Sequence, residues 1–325
     1  MGFEDAAENR IGETVLLRWD GSRWRRAPRP RAAKNPDALL HSVSAEHPDD
    51  VWVTGRDHTG SDRAFVSHWD GRRWIDRRPF GVSGEQFLSD VTATDGRAWF
   101  AGSGSTGAIV VEWDGDEFHL LDSGLGDEGA VLNSISVKDG HLWAAGLVGD
   151  GENHPRKPLI YHRVLGREST EQPETPEIPL GALNGISQVS SSDVWAVGTI
   201  HSHGDHGNRP LVMRWDGSKW SRVQVPITRG ELYDVVASGT GDVWVGGIDA
   251  DHAGQALFLH FDGTGWTREY SPPMRTGASV EDEEDNRINR LGITRVPGTT
   301  TLWAVGSAGP GVSDGLSEQH FVLRR

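Results

Sequence analysis

The chain has 325 residues, with 47 acidic against 32 basic side chains, a net charge of −15, 14 tryptophans, 42 glycines and no cysteine. The missing cysteine excludes disulfides, thiolate metal sites and cysteine nucleophiles together. A chain this acidic, read as lacking a basic block, gains little from phosphate neutralisation, so nucleic acids and anionic membranes are expected not to be partners. No segment approaches the roughly 20 apolar residues of a membrane helix. The first twenty residues hold no apolar stretch of signal-peptide length, so a cytoplasmic, soluble monomer is expected, with a removed leader as the open alternative.

Taken in chain order, the elements repeat. The run TVLLRWDGSRW opens the series as a third and fourth strand with nothing before them. Next comes a full module: LLHSVSA, then DDVWVTG, then RAFVSHWDG, then RRWIDRRP. Its second segment returns as GRAWFAG, GHLWAAG, SDVWAVG, GDVWVGG and TLWAVG, carrying Trp52, Trp99, Trp143, Trp195, Trp244 and Trp303. The WDG slot holds Trp19, Trp69, Trp113 and Trp215, and the slot after it Trp24, Trp74, Trp220 and Trp266, which accounts for every tryptophan. Each segment is short, rich in Val, Trp, Leu and Ile, and bounded by Gly, Asp, Pro or Ser, which reads as strand. Asp-Gly inside WDGSRW is a tight-hairpin signal, because both residues tolerate positive φ.

Four strands per unit of about 45–50 residues match a propeller blade. The expected fold is therefore an all-β propeller of four-stranded antiparallel blades, one domain over 1–325. Six blades are expected and seven are possible, with the N-terminal strands closing the ring. The tryptophans are expected between neighbouring blades, since one blade cannot bury both faces alone. These WDGxxW and DVWAVG repeats resemble the propeller proteins common in actinobacteria, and their layout is similar to tectonin repeats. That resemblance implies fold more than function: tectonin relatives are similar to sugar-binding lectins, and other six-bladed rings resemble metal-dependent lactonases.

The second-to-third-strand links are long, as in RDHTGSDR, LVGDGENHPRKP and TIHSHGDHGNRP, and emerge at the same end as the links between blades. Binding concentrates on long loops held by a rigid scaffold, so this end is the expected functional face. His58, His154 and His252 fall in these loops as expected substrate contacts, and His201, His203, Asp205 and His206 form a candidate site for Zn²⁺, Cu²⁺ or Ni²⁺. A second constellation lies where the innermost strands begin. There Asn133, Asn184, Tyr233, Asn289 and Arg290 are expected to face a ligand, and the amide and carboxylate oxygens could hold Ca²⁺. His41, Asp90 and Asp234 are the acid/base candidates; the alternative is that such side chains bond local backbone. No organic cofactor is expected. The leading expectation is a metal-assisted lyase, hydrolase or cyclase acting on a small molecule or peptide. The alternative is a non-catalytic propeller that binds a glycan, peptide or protein.

Overall fold

The computed structural model describes residues 2–4, 13–34, 38–57, 63–77, 87–126, 129–149, 156–167, 170–171, 173–202, 207–252, 254–274, 287–296, 298–309 and 319–325. Six antiparallel sheets follow one another along the chain, each hydrogen-bonded in chain order. Blade 1 comprises Ala38–His47, Asp50–Asp57, Arg63–Trp69 and Trp74–Arg77. Blade 2 comprises Phe87–Thr94, Arg97–Gly104, Gly107–Trp113 and Phe118–Leu125. Blade 3 comprises Val131–Lys138, His141–Val148, Lys157–Val164 and Thr170–Glu171. Blade 4 comprises Gly181–Ser190, Asp193–Ile200, Arg209–Trp215 and Trp220–Arg222, and blade 5 Gly230–Gly239, Asp242–Asp249, Leu257–Phe261 and Trp266–Tyr270. Among the described residues blade 6 has three strands, Arg287–Arg295, Leu302–Gly309 and Gln319–Arg324, while Leu17–Trp19 and Trp24–Arg26 form a two-stranded sheet of their own. Among the described residues the single turn of 3-10 helix at Ala32–Lys34 is the only helical element. This is the six-bladed β-propeller fold. Its chain divides into two compact units, residues 1–137 with 146–154, and residues 138–145 with 155–325.

The recurring glycine of the VWAVG segment has a steric cause. In five blades the innermost strand bulges at one equivalent position: His41, Ser89, Asn184, Tyr233 and Asn289 are the extra residues. A bulge bends its strand and presses a carbonyl onto the neighbour. A Cβ placed on Gly102, Gly198 or Gly247 would lie 1.8, 2.0 or 2.2 Å from the carbonyl oxygen of Phe87, Ala182 or Glu231. Only glycine admits so close a backbone approach.

The WDG turns are equally determined. Asp70, Asp114, Asp216 and Asp262 each accept backbone N–H bonds from the residues two and three further on, at 2.8–3.0 Å. These bonds fix the turn, and the glycine beside each Asp takes positive φ, for example 94° at Gly217. Hydrogen bonding lowers the Asp216 and Asp262 carboxyls to about 2, led in each case by the hydroxyl of Ser218 or Thr264.

The VW tryptophans pack where two blades meet. In the first unit Trp52 lies 5.7 Å from Phe100 and 5.8 Å from Trp113 of blade 2. In the second unit Trp143 meets Trp215 and Trp220 at 5.4 and 5.6 Å, and Trp195 meets Phe261 and Trp266 at 5.3 and 5.8 Å. The Asp two positions earlier also has a partner. Asp50 bonds His68, stacked on Trp52 at 4.1 Å, and Asp193 grips Arg214 through two bonds at 2.8 and 3.0 Å, its guanidinium over Trp195. Blade 3 substitutes His141 for that Asp. Its Nδ1 lies 3.0 Å from Nε2 of His162, which stacks on Trp143.

Candidate functional site

One loop is short where its neighbours are long. In blade 2 the second and third strands pair to the end, Gly104 facing Gly107, across a two-residue turn. The corresponding links of blades 1 and 3 run from Asp57 to Arg63 and from Val148 to Lys157. Above blade 2 lies an open cleft of about 730 Å³, lined by Arg56, Phe87, Ser103, Gly104, Ser105, Val131 and Asn133. All of these belong to the first unit. The lining combines a guanidinium, an aromatic ring, two hydroxyls and an amide, so hydrogen-bond donors and acceptors stand beside an apolar wall. His41 meets Phe87 edge to face at 4.6 Å. Of the expected site residues, Asn133 thus lines the cleft and His41 supports its wall.

Asp90, three residues beyond Phe87, fastens neighbouring blades together. One carboxylate oxygen accepts the Ser42 hydroxyl at 2.6 Å and the Val91 N–H at 2.8 Å; the other accepts the Ile135 N–H at 2.9 Å. Burial nevertheless raises its pKa above the ordinary carboxylate value, outweighing those bonds. In the second unit Asp234 repeats the arrangement, accepting the N–H groups of Val235 and Ile293 at 2.8 Å each. The bulged residues beside it also reach across. Asn184 donates to the Leu232 carbonyl at 2.8 Å, and the Tyr233 hydroxyl lies 3.4 Å from the Ile288 carbonyl. Burial, then Glu231, raises the Tyr233 phenol well above its usual range. Asn289 is half-buried and Arg290 exposed.

His252 stacks on Tyr270 with ring centroids 4.0 Å apart, its Nδ1 3.3 Å from an oxygen of Asp249, which is 3% exposed. The Tyr270 hydroxyl donates to that same oxygen at 2.6 Å, and burial together with this bond pushes the phenol up to about 12. His201 donates its backbone N–H to Leu180, and burial, then the charge of Arg156, lowers its imidazole pKa. His58, His154, His203, Asp205 and His206 lie outside the described residues. Among the described residues no three His, Asp or Glu side chains converge as a metal site.

No family model matches the chain, and no curated protein matches it. Solved structures do. A structure described as YCF48 bound to D1 peptide aligns with a TM-score of 0.56 at 15% identity, covering 93% of this chain and 88% of that one. YCF48 from Cyanidioschyzon merolae aligns with the same score and identity, over 92% and 88%. At this identity the likeness establishes the propeller fold alone.

Arg56, Phe87, Ser103 and Ser105 escape a reading that looks for long loops, because the cleft arises where a loop is short. The signal was present in GSGSTG, the one tight second-to-third link beside the long ones.

Proposed function

We propose that this protein is a binding propeller that holds an extended peptide segment in the cleft above blade 2. The cleft itself carries the reading: an open groove whose lining offers Arg56, Asn133 and two serines to a peptide backbone and Phe87 to an apolar side chain. An open groove suits an extended segment, whose backbone needs polar partners beside a contact for an apolar side chain. The peptide bound by one structural neighbour supports the same class of ligand. The metal-assisted enzyme reading rests on His201, His203, Asp205 and His206, of which only His201 lies among the described residues, with His41, Asp90 and Asp234 as acid/base groups, whereas the binding reading rests on this groove.

The test is a peptide array probed with the intact chain, followed by titration of the best binder. Arg56→Ser and Asn133→Ala are each expected to weaken that peptide by about tenfold, roughly 1.4 kcal/mol. Unchanged affinity in both variants, with folding intact, would move the site elsewhere.

A further inference from the structure

Average charge hides a local reversal. Between Leu17 and Lys34 the chain carries six arginines and one lysine against the single carboxylate of Asp20, in a protein whose net charge is −15. The expectation that the chain lacks a basic block therefore fails for this segment. Arg18, Arg23, Arg25, Arg26, Arg31 and Lys34 are all exposed.

The fold holds these exposed charges on one short hairpin and the segment that follows it. Leu17–Trp19 pairs with Trp24–Arg26, so that Arg18 faces Arg25 and Leu17 faces Arg26. Like charges directly opposite each other destabilise a sheet. Asp20 relieves part of this, bonding Arg25 and accepting the N–H groups of Ser22 and Arg23 at 2.9 Å. The segment that follows is tied to the outer strand of blade 1. Trp74 Nε1 donates to the Pro28 carbonyl at 2.7 Å, and the Ala32 N–H donates to Asp76 at 3.2 Å. Blade 1 adds exposed Arg72 and Arg73 at its own turn. Leu17, 39% exposed, leaves an apolar spot among the cations.

We propose that this arginine surface, on the outer side of blade 1 and separate from the cleft, docks an acidic segment of a partner protein. Arginine suits carboxylates because its planar fork donates two parallel N–H bonds to the carboxylate oxygens. The charge balance selects protein over nucleic acid. A short acidic segment ends where the patch ends, whereas a phosphate strand runs on over a protein surface that is otherwise strongly acidic. The partner also relieves the opposed pair Arg18 and Arg25, which the hairpin alone leaves with one carboxylate.

The probe is a fluorescent twelve-residue Asp/Glu-rich peptide titrated against the intact chain by anisotropy, beside a single-stranded oligonucleotide of equal charge. Saturable peptide binding is expected, weakening about tenfold between 50 and 200 mM salt as the charges are screened. Arg18→Ser, Arg31→Ser and Lys34→Ser together should weaken it about tenfold. Lys138→Ser, Lys219→Ser and Arg222→Ser, exposed cations of other blades, should change it less than about twofold. Arg18→Lys with Arg31→Lys keeps the charge but loses the paired-bond fork, and is expected to bind between wild type and the serine triple, which separates recognition from folding. Arg56→Ser should leave this binding intact, so that failure here and failure of the cleft reading remain distinct. Equal binding by the two serine triples overturns the proposal. So does an oligonucleotide that binds more tightly than the peptide, which would make the surface a nucleic-acid site. Salt-sensitive self-association without peptide binding would make the acidic partner a second copy of this chain, and would overturn it too.

Discussion

Gly198→Ala is expected to destabilise the protein by about 3 kcal/mol or more, beyond the usual cost of over-packing a core. The added Cβ would sit 2.0 Å from the Ala182 carbonyl oxygen, 2.8 Å from Leu183 Cα and 2.9 Å from the Ala182 carbonyl carbon. All three are backbone atoms, so no side-chain rotation relieves the clash. Relief requires the innermost strand of blade 4 to move away just before its bulge at Asn184, where Leu183 pairs with Gly198. Leu183 is fully buried in a cluster with Trp143, Val194 and Leu211, so the displacement opens that core as well. Gly239→Ala is the matched control, since a Cβ there meets nothing within 4 Å. Its effect is expected to fall between neutral and about 1 kcal/mol stabilising, through loss of unfolded-state freedom. Urea unfolding of the two variants checks the pair. Equal stabilities would mean that the bulge does not press its carbonyl onto Gly198.

The repeat made the architecture legible because each of its residues does one local job. Asp-Gly marks the turn at Asp216 and Gly217, the apolar alternation marks the strand, and Trp195 marks the face turned toward blade 5. Such rules act over a few residues, and the chain restates them from blade to blade. The bulge was not legible, since nothing in the residue types His41, Ser89, Asn184, Tyr233 and Asn289 announces an extra residue. Its counterpart was in plain view as the recurring glycine, whose meaning needs the neighbouring strand. The candidate site was hardest to read. The cleft depends on which loops are short and on three blades lying side by side, which is a tertiary property. That Asp90 and Asp234 accept a neighbouring blade's N–H was not legible, because a carboxylate at a strand start reads the same whatever it meets.

Asp90→Ala is the second large effect expected. Truncation strands the N–H groups of Val91 and Ile135 and the Ser42 hydroxyl, all donors to the carboxylate now. Each unsatisfied buried donor costs about 1–3 kcal/mol, so a total loss of about 3–5 kcal/mol is expected, less where water enters. The same carboxyl gives stability a pH signature of defined sign. Its folded pKa lies above the ordinary value of 3.8, burial being the leading cause. As pH rises from that value toward the raised one, the unfolded chain has released this proton while the folded chain retains it. The folded state then binds more protons, so this residue's contribution to stability falls with rising pH across the window and is level above it. The turn carboxylates Asp216 and Asp262 titrate on the other side. Their folded values near 2 make a contribution that is lost as pH falls below about 4, outside the window that reports on Asp90. Unfolding free energies of wild type and Asp90→Asn, measured from pH 4 upward, isolate the effect. Wild type should lose stability relative to the variant as pH rises, then run parallel to it. A relative gain instead would mean that the bonds from Ser42, Val91 and Ile135 outweigh burial. Asp90 would then be a fully ionised staple between blades 1 and 3.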